Sequence, residues 1–278
     1  IARSDHVLQN GSGDELARCI RQALDEMLGE LAARAGIDRT EIYQIAVVGN
    51  TCMHHLFLDI SPASLVHAPY NPAVRENIMA KASDLNLKIH PEGTVLMLSN
   101  IAGFVGADTV GCLIACDMEH REKMTLMIDI GTNGEMVLGN KKRMITCSTA
   151  AGPAFEGAKI ACGMRGAKGA VDHIEMKEEK IVYSTIGNAK AGGICGSGLM
   201  DIVAMLLKEG FIEDTGRLMD PDELETEQAI ANQDRIIKVD GKNAFKITED
   251  VYLTQKDIGE VQQAKAAIAA GIILLCKK

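Results

Sequence analysis

A carboxylate, two glycines and a pair of small polar residues stand together at residues 129–135. Asp129 closes the apolar run Leu126, Met127 and Ile128. Gly131 and Gly134 bracket Thr132 and Asn133, a turn sequence that tolerates positive φ. Met136, Val137 and Leu138 then resume the apolar pattern. The pattern reads as strand, tight polar turn, strand. Such a turn aims several backbone N–H groups at one point, which suits a phosphate, and a carboxylate at the strand end can hold a metal-bound water. An ordinary β-hairpin is the alternative, because short motifs also arise by chance.

Other chemistry-bearing residues are scattered along the chain. Asp108 is a polar residue leading the apolar helix predicted at 110–116, just after Gly103 and Gly106. A carboxylate there needs a partner, a metal-water shell or solvent. Glu156 is the one acid in the small, Gly-rich stretch 148–158, and reads as a helix-start charge or a site carboxylate. Gly192, Gly193, Gly196 and Gly198 precede an amphipathic helix beginning near Leu199. A glycine-rich loop entering a helix offers free N–H groups and the positive end of the dipole. Its spacing matches neither the Walker A pattern nor the dinucleotide fingerprint. Lys256 and Asp257 open the last helix, where they reach a ligand or complement the dipole. His54 and His55 are adjacent and cannot share one helix face, so they read as structural or surface residues rather than ligands.

The elements that must position these groups follow from periodicity. Residues 14–35 predict an amphipathic helix capped by Asp14 and ended by Gly36, with Leu16, Cys19, Ile20, Ala23, Leu24, Met27, Leu28 and Leu31 as its apolar stripe. Strands are predicted at 42–48, 94–98 and 144–147, with Thr51 capping a short helix at 52–58. The segment 61–73, with three prolines, is an irregular connection. Residues 170–176 and 180–186 alternate as a hairpin with Glu178 and Glu179 at its turn. An acidic, loop-rich stretch at 211–243 leads to short strands at 235–239, 244–248 and 251–253. Thr254 caps a final helix over 255–276, with Ile258, Val261, Ala264, Ile268, Ile272 and Leu275 inward. The charged turn 119–123 marks a boundary between two lobes, 1–123 and 124–278.

The net charge of −9 argues against a nucleic-acid surface. No run of 18 apolar residues indicates a membrane span. With no Trp and 3% aromatic residues, the core must be built from aliphatic side chains and Met. The eight cysteines form no C-x-x-C pair, and Cys112 and Cys116 read as a buried helix face, so reduced thiols in a cytoplasmic protein are expected. The start at Ile1 and the apolar final helix suggest a piece of a longer protein.

Six motifs in order resemble one family. They are residues 48–55, 100–109, 128–135, 147–158, 193–199 and 253–258. Together they resemble the C-terminal domain of the reductive activators of corrinoid proteins, which has the ASKHA fold of actin, sugar kinases and heat-shock ATPases. The resemblance implies an α/β, ribonuclease H-like architecture, two lobes with mixed sheets flanked by helices, closing on ATP and Mg²⁺. It implies that Gly131, Thr132, Asn133 and Gly134 form the second phosphate loop. Gly103 would lie in the first connecting helix region, and Gly193, Gly196, Ser197 and Gly198 would border the nucleotide. Asp129 and Asp108 would hold Mg²⁺ through water, with Asp129, Glu135 and Glu156 as the catalytic carboxylates. It further implies a [2Fe-2S] ferredoxin domain of the same polypeptide as electron source, a corrinoid (cobalamin) protein as partner, and a possible homodimer. The family's first phosphate loop would precede residue 1 and its adenosine segment would follow residue 278. A small-molecule kinase of the same superfamily, and a non-catalytic docking module, are the alternatives.

Overall fold

The computed structural model describes residues 2–278. The chain forms two compact units, Ile1–Met127 with Val137–Cys147, and Ile128–Met136 with Ser148–Lys278. Each mixes helices with small sheets, as an α/β chain should.

In the first unit, helices α1 (Ala2–Asn10) and α2 (Asp14–Ala35) precede strand β1 (Gln44–Val47). Helices α3 (Thr51–Phe57) and α4 (Ala63–Val66), strands β2 (Ile78–Lys81) and β3 (Thr94–Met97), and helix α5 (Ala107–Ala115) follow. The sheet order is β1-β3-β2, with β1 parallel and β2 antiparallel to β3. Phe57, Leu85, Leu87, Val95 and Met97 are buried against it, and Leu24 and Leu28 of α2 pack onto the same cluster.

Helix α2 departs from its predicted stripe. Its buried positions are Ala17 and Ala32, while Ile20, Met27 and Leu31 are exposed. The helix carries apolar residues on two faces, and the inward one is fixed by polar anchors that an apolar pattern does not include. Arg21 donates to the Phe57 carbonyl, closing the end of α3, and Asp25 accepts from the Lys88 N–H and pairs with Arg39. The predicted caps also shift by one residue. Gly13, not Asp14, is the N-cap of α2, and Asp14 instead pairs with Arg18 one turn on. Gly36 ends the helix at φ 69 as expected. Asn50, not Thr51, caps α3 by accepting from the Met53 N–H, and the Thr51 hydroxyl donates to the Ala102 carbonyl.

Both histidines of α3 are buried. The short helix is enclosed beyond a single face, so adjacent residues are covered together. The His55 ring lies 2.8 Å from the Thr51 carbonyl at Nδ1 and accepts from the Ala73 N–H at Nε2. Neither ring nitrogen of His54 has a partner among the described residues.

Strands β4 (Thr125–Ile130), β5 (Gly134–Asn140) and β6 (Arg143–Thr149) form a meander in that order. The division between the units runs through its strands. The remainder of the second unit holds β7 (Ala170–Lys177), β8 (Lys180–Thr185) and β9 (Gly193–Ile194), paired in the order β8-β7-β9. Helices α6 (Gly196–Lys208) and α7 (Glu227–Ala231) follow, then the meander β10 (Ile236–Val239), β11 (Lys242–Lys246) and β12 (Tyr252–Thr254), and helix α8 (Gln255–Cys276). Glu178 and Glu179 make the β7–β8 turn at positive φ, without glycine. Phe211 and Phe245 meet edge to face in a core that includes Ile194, Leu199, Ile202, Leu206, Leu253 and Ile258. By length and composition α8 is apolar enough to cross a membrane. A search for unbroken apolar runs misses this, because Lys, Glu and Gln interrupt the sequence. Its Asp257, Ile258, Val261, Ala264, Gly271 and Leu275 are buried in this structure.

The buried His54 generates a prediction. Burial, with His55 pushing the same way, holds its pKa down to about 4 against an ordinary 6.5. The unfolded chain therefore binds a proton that the folded one refuses between those values. The contribution of His54 to stability should be level above pH 6.5 and fall toward pH 4 by roughly 3 kcal/mol. His54→Leu should flatten part of that slope, leaving the share of His55. Thermal denaturation at stepped pH checks this, and an unchanged acid slope in the variant rules it out.

Candidate functional site

The turn between β4 and β5 is held from three directions within the second unit. The Gly131 N–H donates to the Asn133 carbonyl at 2.9 Å, and the Gly152 N–H donates to the Thr132 carbonyl at 2.9 Å. The Thr132 N–H donates to Glu156 Oε1 at 3.1 Å, and the Thr132 hydroxyl donates to the same oxygen. Thr132 and Asn133 are exposed at the tip. None of residues 131–134 takes a positive φ, contrary to the expectation from the Gly-Thr-Asn-Gly sequence. The left-handed backbone lies in the segment that meets the turn, at Gly152 (φ 88) and Gly157 (φ 78).

That segment is rigid in its backbone. Residues Pro153–Glu156 form a single 3-10 turn with proline in its first turn, ended by Gly157. A Cβ on Gly157 would stand 2.5 Å from the Met164 carbonyl oxygen, so only glycine fits. Gly134 is also a packing glycine, since its Cβ would lie 3.0 Å from Thr149 Oγ1 and 3.2 Å from Ile268 of α8. The carboxylate of Glu135 accepts from the Ser148 hydroxyl at 3.1 Å.

Asp129, the penultimate residue of β4, is half-buried. Its carboxylate has no hydrogen-bond or ion-pair partner among the described residues. A charged group in that position keeps its hydration or takes a cation. Asp257 is the contrast. It is 1% exposed, and it accepts from the Ala161 and Thr254 N–H groups in a capping box at the start of α8. Its carboxylate serves structure, in line with the helix-start alternative, while Lys256 is exposed.

The glycine-rich entry to α6 is shaped by backbone contacts. A Cβ on Gly196 would lie 2.1 Å from the Phe155 carbonyl oxygen, one on Gly198 2.1 Å from that of Val171, and one on Gly193 2.7 Å from that of Cys162. The Ile194 N–H donates to the Cys162 carbonyl, and the Cys195 N–H to that of Val171. Ser197 is exposed, with its hydroxyl 3.4 Å from Cys195 Sγ. In the first unit, Gly103 lets the chain pass against Tyr70, whose carbonyl oxygen would lie 2.0 Å from an added Cβ. Gly106 does the same beside Thr51. Asp108 sits in the first turn of α5, where its Oδ1 accepts from the Thr109 N–H at 2.8 Å.

The structure thus brings Thr132 and Glu156 together, and packs Gly193, Gly196 and Gly198 by their backbones. The link between Glu156 and Thr132 is not evident from residue types alone. A signal for it exists, because Gly152-Pro153 and Gly157 bracket Glu156 with a fixed turn.

Comparison with known proteins gives a consistent identity. The family model of the RACo middle region matches residues 1–121, and that of the C-terminal ASKHA domain of RACo matches residues 123–278. A "Corrinoid activation enzyme RamQ" of Eubacterium limosum is 39% identical over 285 residues, covering 99% of this chain and 47% of the relative. A "[Co(II) methylated amine-specific corrinoid protein] reductase" of Methanosarcina barkeri is 25% identical, covering 95% of this chain and 50% of the relative. A solved "Reductive activator for corrinoid,iron-sulfur protein" matches with a TM-score of 0.80 at 35% identity, over 98% of this chain and 44% of that one. The chain spans about half the length of the curated relatives it matches.

The packing role of the glycines is testable against helix propensity. Gly198 lies in the first turn of α6, where Ala would ordinarily gain up to about 1 kcal/mol. The backbone clash at Val171 should reverse the sign, so that Gly198→Ala costs roughly 2 kcal/mol or more. Gly259, inside α8, has nothing within 4 Å of an added Cβ. Gly259→Ala should therefore stabilise by about 1 kcal/mol. Denaturant midpoints of the two variants check the pair, and a stabilising Gly198→Ala refutes the packing account.

Proposed function

The chain belongs to the RACo family of corrinoid reductive activators, with residues 123–278 as the ASKHA domain, and from this premise we propose that it is the ATP-binding and ATP-hydrolysing part of such an activator. In this reading the bound nucleotide drives a change that allows reduction of an inactive Co(II) corrinoid to Co(I) on a corrinoid methyl-transfer protein. One electron comes from a [2Fe-2S] ferredoxin domain of the same polypeptide, outside residues 1–278. The corrinoid protein is the partner, and the setting is cytoplasmic, in keeping with eight free cysteines.

The observation that carries the reading is the pairing of donors and carboxylate at the β4–β5 turn. The Thr132 N–H and hydroxyl converge on one anionic oxygen, that of Glu156, so the turn is built to receive such an atom. Asp129, close by in sequence and half-buried, has no protein partner among the described residues and suits a hydrated Mg²⁺. The cation would supply charge neutralisation to the phosphates. The chain's own share is positioning: Gly131, Thr132 and Asn133 cradle the phosphates, with the Thr132 N–H and hydroxyl as donors, and Glu135 or Glu156 orients the hydrolytic water. Small residues and a few carboxylates suffice, because phosphoryl transfer is largely positioning and electrostatics.

A second reading, docking or homodimerisation, draws on the exposed apolar stripe Ile20, Met27 and Leu31 of α2. It predicts a corrinoid protein bound without nucleotide, or a dimer disrupted by charges on that stripe.

Calorimetry of Mg-ATP binding to the full-length protein tests the first reading. The wild type should bind, and Asp129→Asn should lose at least roughly tenfold in affinity or hydrolysis rate, the loss of one charged contact to a cation. Hydrolysis at the normal rate by the variant would remove Asp129 from the site. No binding by the wild type would remove the ATP reading and leave docking.

A further inference from the structure

We infer that Glu156 is a latch that occupies the phosphate-binding donors of the β4–β5 turn, and that an incoming phosphate must displace it. The inference rests on the phosphate-loop reading above and goes beyond it, by giving the site a ligand-free state with its own internal anion.

The geometry separates a fixed part from a movable one. Thr132 is tied at both ends of its residue by one segment, its carbonyl by the Gly152 N–H and its N–H by Glu156. The Gly152 bond is backbone to backbone. The Glu156 bond is the only one of the pair that a side-chain rotation releases. The backbone beneath Glu156 does not need to move with it. The Gly157 N–H donates to the Ala154 carbonyl, the Ala158 N–H donates to that of Pro153, and Ala154 is buried. Gly157 is locked against Met164. The Glu156 side chain is exposed, so solvent receives it when it swings away.

The chemistry makes the two anions exclusive. Thr132 offers two donors to one carboxylate oxygen, the arrangement a phosphate oxygen would use. A phosphate on these donors would sit beside the Glu156 charge, and like charges at such separation repel. Binding therefore selects the conformation with Glu156 released. When the binding-competent state is a minor fraction, the apparent affinity falls by that fraction. Release also leaves the carboxylate beside the phosphate loop, free to face water.

The test uses the full-length protein, with Glu156→Ala and Glu156→Gln, and Mg-ATP as the probe in calorimetry. Glu156→Ala should bind roughly five- to tenfold more tightly than wild type, the factor that removal of a competing closed state returns. Glu156→Gln, which keeps an acceptor without the charge, should fall between. In the ligand-free proteins, amide hydrogen exchange at Thr132 should be faster in Glu156→Ala than in wild type. Equal exchange at Thr132 overturns the latch, because the contact is then not populated. Equal affinity, or weaker binding by a folded Glu156→Ala, overturns it as well, the latter by showing that Glu156 belongs to the bound state. Binding by the alanine variant but not by wild type supports it. If neither protein binds Mg-ATP, the phosphate-loop reading fails and the latch fails with it.

Discussion

The peptide of Thr132 is the point on which the second unit's turn depends. It is exposed at the tip of a strand connection, where an unsupported backbone would sample many conformations. Two bonds from residues 152–156 hold it, one at each end. The supporting segment is itself fixed by a proline-led 3-10 turn and by glycines at left-handed φ on either side. Rigidity is thus placed next to the turn rather than in it. That division lets the turn keep its shape with no left-handed backbone of its own.

Close approach of backbones is the second constraint, and it explains several glycines of the segments that lead into α5 and α6. At Gly103, Gly106, Gly193, Gly196 and Gly198 an added Cβ would fall within 2.0–2.7 Å of main-chain atoms. Gly196 and Gly198 bring the start of α6 onto the carbonyls of Phe155 and Val171, so the same residues that order α6 also seat the segment carrying Glu156. In this glycine-rich entry to a helix, close approach to the Cys162, Phe155 and Val171 carbonyls accounts for Gly193, Gly196 and Gly198.

Much of this is legible in the sequence. The β4–β5 pattern, the β7–β8 hairpin with Glu178 and Glu179 at the turn, and the Thr254-capped α8 all appear near their predicted places, because each has a strong local signal: period-two alternation, turn residues, or a capping box. The misses share a different cause. The inward face of α2 is set by Arg21 and Asp25 reaching residues distant in sequence, and apolar periodicity cannot see such anchors. The caps lie at Gly13 and Asn50, one residue from their predicted places: Asp14 is taken by Arg18 one turn on, and Thr51 by the distant Ala102 carbonyl. Burial of both His54 and His55 follows from enclosure of a short helix, which no helical period encodes. The Glu156–Thr132 bond joins residues 24 apart in the chain, and only folding brings them together.

Comparison of the acids separates those whose charge the fold answers from the one it leaves to solvent. Asp257 is deeply buried, yet its oxygens accept from backbone N–H groups and its charge is answered within the protein. Glu135 takes the Ser148 hydroxyl, Asp108 the Thr109 N–H, and Glu156 the donors of Thr132. Asp129 differs, being drawn partly out of water at the end of an apolar strand with no donor among the described residues to compensate. Partial burial of an unanswered carboxylate costs stability unless water or a cation completes its shell. A fold gains nothing from such a residue by packing. Nothing among the described residues holds its carboxylate, which is left to solvent. For Asp257 the reverse holds, because the two N–H groups it receives fix the start of α8 and leave its carboxylate nothing further to recruit.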